Sequence, residues 1–244
     1  MAEIARHIAA LADAAEGNLL APVEHCPGWT VADLIDHVRE VHWFWGTIAA
    51  ERLSEPPPAD RRPPRPEPAE LIEVFRAGAL HLVEVLRAAD PTDAVWTWAP
   101  WQQDIAFIQR HQVQEAAVHR WDAEHAAGRG VDLGLAGSVD SIEEFLTFSV
   151  SSPLDRPEDL TKIEQPLGGR LALRATDAEA GWTVRDAEDV PGTLRFERGV
   201  DPDVPVVPGT ASDLLLWLYQ RVDLAVSTGD AGLIERFRAL CYLD

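Results

Sequence analysis

Up to about residue 127, apolar side chains recur every three to four residues, the spacing that places them on one face of an α-helix. Thr30 precedes one such stretch, and Asp33 follows three residues later, an approximate capping box that marks a helix start. Helices that bury one face each must pack together, so their succession predicts a four-helix bundle. The predicted helices cover residues 3–16, 30–52, 69–89 and 103–127.

A proline-rich segment, Ser54–Glu67, separates the second and third predicted helices and contains six prolines. Such a segment favours polyproline II at about 3.1 Å per residue, so its 14 residues can reach roughly 40 Å. The second helix, at about 1.5 Å per residue, is about 34 Å long. The linker can therefore return along the whole helix, and we predict a crossover bundle in which helices two and three run parallel.

After about residue 130, one further helix is followed by short alternating stretches typical of strands and then by two more helices. Strands grouped with helices in this way indicate an α+β protein. We predict two domains, a helical bundle over residues 1–152 and a small α/β domain over residues 153–244. The later elements are a helix over 138–150, assigned to the bundle, a hairpin of 170–175 and 181–185, strands over 193–197 and 204–207, and helices over 211–226 and 231–240.

The charge balance limits the partners of the protein. Twenty-one Lys and Arg against 41 Asp and Glu give a net charge of −20, which argues against nucleic acid or an anionic membrane as partner. The two cysteines, Cys26 and Cys241, are too few for a disulfide framework or a Cys-based zinc site. Without a secretory segment or a membrane-spanning run, we expect a cytoplasmic monomer or homodimer.

Residues with metal-binding chemistry fall in the predicted bundle. Glu115 and His119 are four residues apart on the fourth helix, so both project from one face and can bind one divalent ion. A third ligand must come from another helix, and His37 shares its face with apolar residues that point to the core. Two imidazoles and one carboxylate leave coordination positions open, as a catalytic site requires.

Other histidines compete for this role, since a Glu and a His spaced by four occur by chance on many helices. His111 precedes Glu115 by four residues, and His42 follows His37 by five and is turned away from it. Asp122 can accept the second ring N–H of His119, or it is a solvated residue near the helix end. The histidines interpreted as surface or boundary residues are His7, His25, His81 and His125.

Tryptophans are concentrated before residue 122, and Trp96, Trp98 and Trp101 come just ahead of the fourth helix. They can wall a pocket over a metal at one end of the bundle. Packing of the bundle end is the alternative explanation.

Three segments carry a family resemblance. Residues 26–37 have the sequence CPGWTVADLIDH, residues 115–124 have EAAVHRWDAE, and residues 211–221 have ASDLLLWLYQR, followed by Thr228-Gly229-Asp230. Together they closely resemble the mycothiol-dependent maleylpyruvate isomerase family, a branch of the DinB-like metal-binding bundles. The resemblance covers nearly the whole chain.

The resemblance implies a crossover four-helix bundle followed by a small sterol-carrier-like α/β domain. It implies a divalent metal, usually zinc, held by His37, Glu115 and His119, and mycothiol as the thiol cofactor. An arginine of the second domain helps to bind the thiol in the family, and Arg221 is the matching position, both catalytic and cofactor-binding. Arg120, within the second motif, is a further cofactor-binding candidate.

This family's chemistry predicts a metal-bound thiolate that adds to an electrophilic small molecule. The thiolate adds to an activated double bond or displaces a leaving group, and in an isomerase the addition leaves a single bond about which the adduct rotates before elimination. The archetypal substrate, maleylpyruvate, is a dianion that a protein of charge −20 repels at long range, so it would need arginines close to the site, and few lie there. The nearest candidates are Arg39, Arg120 and Arg221. The alternative function is a zinc-binding stress or regulatory protein without catalysis.

Overall fold

The computed structural model describes residues 1–150, 165–188, 193–227 and 231–241. The chain divides into two compact units, Met1–Leu133 and Gly134–Asp244. The first unit is helical and the second contains a small sheet with helices, which confirms the α+β fold class. Among the described residues, no helix has both the length and the apolar character needed to cross a bilayer.

The first unit is the predicted four-helix bundle. Its helices are α1 (Ala2–Ala15), α2 (Val31–Glu51), α3 (Leu71–Ala88) and α4 (Ile105–Ala126), with a short 3₁₀ turn over Ala59–Arg61 before α3. Helix α1 packs against α3 and α4, and α2 packs against the same two helices. The apolar face of each helix is turned inward, so that Leu11, Leu34, Phe75 and Ile108 are fully buried.

A complete capping box begins α2, as the sequence predicts. The backbone N–H of Thr30 donates to Asp33 Oδ2 at 2.9 Å, and the N–H of Asp33 donates to Thr30 Oγ1 at 3.4 Å. Each side chain satisfies a donor that the first turn of a helix leaves unpaired. The box therefore fixes the start of the helix that carries His37.

Three arginines of the proline-rich linker show its course along α2. They pair with positions successively closer to the N-terminus of that helix: Arg61 with Glu51, Arg62 with Glu40, and Arg65 with Asp33, at 2.9, 3.1 and 2.8 Å. The linker thus runs back beside α2, so that α3 begins near the end where α2 began. The His42 ring stacks on Phe75, and Gly46 faces Leu82, which confirms that α2 and α3 are parallel.

In its described residues, the second unit contains a four-stranded sheet and three helices. These elements are α5 (Leu135–Phe145), extended by a π-helical turn over Leu146–Val150, β1 (Arg170–Ala175), β2 (Gly181–Asp186), β3 (Leu194–Arg198), β4 (Val206–Gly209), α6 (Ala211–Leu218) and α7 (Ala231–Leu240). The strand order is β3-β2-β1-β4. Strands β1 and β2 form the predicted hairpin, with Leu171 opposite Val184; β3 is antiparallel to β2, and β4 is parallel to β1. Leu171, Val184 and Val207 are fully buried in the core of this unit.

Helix α5 belongs to the second unit, so its assignment to the bundle was wrong. It packs against α6, and the Trp182 indole N–H donates to Glu143 Oε1 at 3.2 Å. Arg198 pairs with the other oxygen of Glu143 at 2.6 Å. An amphipathic helix shows where its apolar face lies but not which neighbour covers it. The predicted boundary after residue 152 itself lies outside the described residues.

Helix α6 ends at Leu218, eight residues earlier than predicted. Gln220 adopts the left-handed conformation with φ of 58°, and the N–H of Arg221 donates back to Leu216 O at 2.8 Å. With the Gln220 N–H bonded to Trp217 O, this is a Schellman motif, which ends a helix. Arg221 therefore follows the helix, and the Thr228-Gly229-Asp230 motif lies outside the described residues.

Candidate metal centre

Helices α2 and α4 bring His37, Glu115 and His119 together. Glu115 Oε1 lies 3.4 Å from Nε2 of His37 and 3.4 Å from Nε2 of His119. The three donor atoms all lie within 4.8 Å of one another. Ligand atoms about 2.0–2.1 Å from a tetrahedral zinc are separated by roughly 3.3 Å, so the carboxylate–imidazole spacings match such an ion.

The burial of Glu115 and His119 favours the binding of a cation by this cluster. The side chains of Glu115 and His119 are 17% and 11% exposed, whereas that of His37 is 37% exposed, so the cluster reaches solvent on the His37 side. Glu115 Oε1 is buried and has no hydrogen-bond partner among the residues that the structure describes. A buried carboxylate oxygen in that condition is costly unless an ion satisfies it. The residues present therefore fit a divalent metal.

A second carboxylate orients His119. Asp122, whose side chain is fully buried, places Oδ2 3.0 Å from His119 Nδ1. With the proton held on Nδ1 by this carboxylate, Nε2 is directed toward Glu115 and His37 as an acceptor for a metal. The Cys26 thiol lies 4.0 Å from the same Asp122 oxygen. Asp122 is therefore a partner of the His119 ring and not a solvated residue near the helix end.

The electrostatics of the cluster follow from this proximity. Burial raises the pKa of Glu115, but the His119 and His37 imidazoles outweigh it and hold the pKa well below its usual range. Burial lowers the pKa of His119, but the Glu115 and Asp122 carboxylates outweigh it and raise the pKa to about 9. A proton and a metal ion therefore compete for His119 Nε2 near neutral pH.

The loop before α2 borders the cluster. The Trp29 ring lies 5.1 Å from the His37 ring, centroid to centroid, and limits its movement. Backbone hydrogen bonds hold the loop: Val23 N–H donates to Trp29 O at 2.9 Å, and Pro22 bridges to Thr30. The CPGW segment therefore places Trp29 against His37, a candidate metal ligand, and Cys26 beside Asp122.

The competing histidines lie elsewhere. The His111 ring packs against Trp45, Trp98 and Phe107, at centroid distances of 5.8, 5.6 and 5.6 Å. His42 is 2% exposed, and neither of its ring nitrogens has a hydrogen-bond partner in the described part of the chain.

The interpretation of His7 as a surface or boundary residue was wrong. His7 is 1% exposed, and burial lowers its pKa to about 4.

Of the three tryptophans before α4, two pack against other aromatic rings and one is exposed. Trp96 stacks on Trp45 at 6.1 Å, and Trp98 meets Phe107 edge to face at 4.9 Å. Trp101, in contrast, is 49% exposed. This aromatic cluster surrounds His111, one helical turn before Glu115 on α4. Its role as a pocket wall stays a prediction.

The candidate arginines are all engaged by other groups. Arg39 is buried and donates to Asp36 at 2.8 Å, and Arg120 donates to Glu124 at 2.8 Å. Arg221 donates to the backbone oxygen of Tyr219 at 2.8 Å. Arg39 and Arg120 are therefore each paired with a carboxylate, whereas the Arg221 contact is with a neutral carbonyl.

Sequence reasoning missed a further group, Glu24, His25 and His125, whose ligand atoms also lie within 4.8 Å of one another. About a hundred residues separate its two parts, and neither part has a diagnostic spacing by itself. The contact between the loop and the end of α4 is a tertiary one, so no local pattern announces it.

The second unit has its own cleft, of about 650 Å³, beside Trp182. No His or Cys is among the described residues that line it, and its charged groups are Asp140, Glu143, Arg174, Glu179 and Arg198. The metal-ligating chemistry of the described residues is thus found in the bundle.

The chain thus combines a crossover four-helix bundle, in which two imidazoles and a carboxylate form a candidate metal centre, with a small α/β unit. The chain matches the mycothiol maleylpyruvate isomerase N-terminal domain over residues 1–124 and the C-terminal domain of the same family over residues 137–236. It belongs to the mycothiol maleylpyruvate isomerase family. No curated protein and no solved structure gave a significant match.

Proposed function

We propose that this protein is a metal-dependent, mycothiol-dependent isomerase or S-transferase that acts on an electrophilic small molecule in the cytoplasm. The observation that carries the proposal is the buried cluster of His37, Glu115 and His119, with Glu115 Oε1 unpartnered among the described residues. The family is associated with mycothiol and metal dependence, which supplies the thiol partner.

His37, Glu115 and His119 would hold the ion, with zinc the best match to two imidazoles and a carboxylate. When bound, such an ion supplies Lewis acidity that lowers the pKa of a coordinated thiol, so that the thiolate is available near neutral pH. Three protein ligands leave room for that thiol. The exposed side of His37 is the direction from which it can enter.

The chain's own residues preorganise the site. Asp122 holds the His119 proton on Nδ1, and Glu115 supplies a negative charge that partly neutralises the divalent ion. Trp29, in the CPGW loop, lies against one side of the His37 ring. Arg120 and Arg221 remain candidates for contacts with the thiol cofactor, and Arg221 is carried over from the family resemblance alone.

The ion pairs of two candidate arginines limit how much negative charge the substrate can carry. Arg39 and Arg120 are each bound to a carboxylate, so neither offers a full positive charge to a dianion. The net charge of −20 acts in the same direction at long range. We therefore favour an electrophile with less negative charge than maleylpyruvate, with S-transfer or addition–elimination as the reaction.

Metal analysis of the purified protein, followed by calorimetric titration with mycothiol, tests the proposal. We expect one tightly held metal per buried cluster, mycothiol binding that requires it, and turnover that is faster with an uncharged activated alkene than with maleylpyruvate. His119→Ala should remove this metal and the thiol binding, whereas His81→Ala, at an exposed position on α3, should preserve both.

Three results would count against this function. Full metal occupancy in His119→Ala would refute the site. Metal binding without mycothiol binding would favour the zinc-binding regulatory protein. Preferential turnover of maleylpyruvate would retain the enzyme and refute the charge argument.

A further inference from the structure

A second set of metal-ligating side chains lies on the surface of the bundle, where the loop before α2 meets the end of α4. Glu24 Oε2 lies 2.7 Å from His125 Nε2, and the His25 ring is 5.8 Å from the His125 ring, centroid to centroid. One ligand atom from each of the three residues lies within 4.8 Å of the ligand atoms of the other two. None of the three takes part in the buried cluster.

The two imidazoles are held in place by one tryptophan. Trp121 stacks on His125 at 4.5 Å with the planes 9° apart, and it meets His25 edge to face at 5.4 Å. Restricted rings lose little conformational entropy when they bind an ion. The cluster is therefore more preorganised than its exposure alone indicates.

The backbones on either side are also fixed. The Cys26 N–H donates to Val23 O at 3.2 Å, directly across Glu24 and His25. At the end of α4, the Gly128 N–H donates to His125 O at 2.8 Å. A loop and a helix end with such hydrogen bonds present their side chains at a stable separation.

We propose that Glu24, His25 and His125 form a second site for a divalent transition-metal ion of the Zn²⁺, Cu²⁺ or Ni²⁺ type. Two imidazoles select these ions over Mg²⁺ and Ca²⁺, which prefer oxygen ligands. The Glu24 and His125 side chains are 67% and 41% exposed, so the ion keeps water ligands and exchanges with solvent. The net charge of −20 raises the local concentration of cations around it.

Binding here would join the loop to α4 beside the buried cluster. The same loop carries Cys26, near Asp122, and Trp29, against the His37 ring. An ion held by Glu24, His25 and His125 therefore restrains both of these contacts. The surface site does not depend on mycothiol or on catalysis.

Calorimetric titration of the full-length, metal-stripped protein with Ni²⁺ tests the second site. In a Glu115→Gln/His119→Ala background, which lacks the buried site, we expect one equivalent to bind. Addition of His125→Ala or Glu24→Gln should remove that equivalent, whereas His81→Ala, a change at an isolated surface histidine, should leave it. In the otherwise unchanged protein, His125→Ala should lower the stoichiometry from two to one.

Absence of Ni²⁺ binding in the double-variant background, or a stoichiometry that His125→Ala leaves unaltered, would overturn the second site. Neither result would affect the buried site, whose metal and mycothiol binding are measured in the unaltered protein. Glu24→Gln alters a side chain at the surface, so its result stands even where an alanine change at His125 disturbs the packing of Trp121.

Tryptophan fluorescence provides an independent readout. Because Trp121 stacks on His125, Cu²⁺ at the second site should quench part of the emission in the Glu115→Gln/His119→Ala background. Trp121→Phe should remove that quenched component without removing the bound ion. Quenching that is equal with and without His125→Ala would contradict the assignment.

Discussion

The cluster of His37, Glu115 and His119 is largely buried at Glu115 and His119 and reaches solvent at His37, whereas Glu24, His25 and His125 offer the same donor types on the bundle surface. In the interior, Glu115 Oε1 has no hydrogen-bond partner among the described residues. On the surface, Glu24 already bonds to His125 at 2.7 Å, and water can reach both. Solvation, and not the set of ligand types, therefore determines how strongly each cluster needs an ion.

The largest effect should come from Glu115→Gln, which removes the only negative charge among the three proposed buried ligands. We expect metal affinity at this site to fall by more than the about 10–100-fold that loss of a ligand's hydrogen-bond partner causes. Glu124→Gln on the same helix, where Glu124 pairs with Arg120, is the matched control for metal content. Equal metal content in the two variants would show that the interior cluster is no more dependent on an ion than the surface.

Next in size is a pH effect on the metal-stripped protein. The folded-state pKa of His119 is raised to about 9 from an ordinary 6.5, because Glu115 and Asp122 outweigh its burial. The resulting stabilisation is fully present below about pH 6.5 and is lost as the pH rises through about 9. This rise in the pKa of His119 corresponds to on the order of 3 kcal/mol in the free energy of unfolding.

Urea unfolding at several pH values between these limits measures this effect. His119→Gln should flatten the profile, whereas His81→Ala should leave it steep. Stability of the unsubstituted protein that rises over this range would contradict the proposed charge state of the cluster.

Asp122→Asn should have a smaller effect, since it leaves the three proposed ligands in place. It removes the carboxylate 3.0 Å from His119 Nδ1 and so loosens the ring and its tautomer. We expect about 10–100-fold weaker metal binding, measured by competition with a chelating dye. Asp13→Asn, at an exposed position on α1, is the control. Unchanged affinity would mean that packing alone orients His119.

The smallest effect is expected on the surface, from Arg65→Ala in the linker. Arg65 and Asp33 are 48% and 35% exposed, and pairs of this kind contribute up to about 1 kcal/mol. Urea unfolding should show a loss within that range that disappears at high salt, since salt screens exposed charges. Arg87→Ala on α3 is the comparison, and a salt-independent loss would show that Arg65 acts through packing.

Much of the bundle was predictable because local patterns determine local structure. The three- to four-residue spacing located all four helices to within about two residues, and Thr30 with Asp33 marked the start of α2. The length of the proline-rich linker predicted the crossover because polyproline II has a definite rise. The resemblance of residues 26–37 and 115–124 to the family's motifs indicated His37, Glu115 and His119 as the candidate metal ligands.

Errors arose where a neighbour decided the outcome. The sequence shows the amphipathic face of α5, but only the packing against α6 assigns that helix to the second unit. The continued apolar run after Leu218 resembles helix, yet Gln220 turns left-handed and ends α6. His7 is polar by type and buried because α1 packs closely on α4.

The sequence by itself determined the four bundle helices, the crossover, the net charge and the positions at which α2 and α4 carry candidate metal-binding side chains. Each of these follows from spacing, composition or the reach of a short segment. Only the tertiary structure decided that Glu115 lies 3.4 Å from both imidazoles, that Asp122 holds His119, and that Glu24 and His25 meet His125. Distances between residues far apart in the chain depend on how whole helices and loops pack, and no local pattern encodes them.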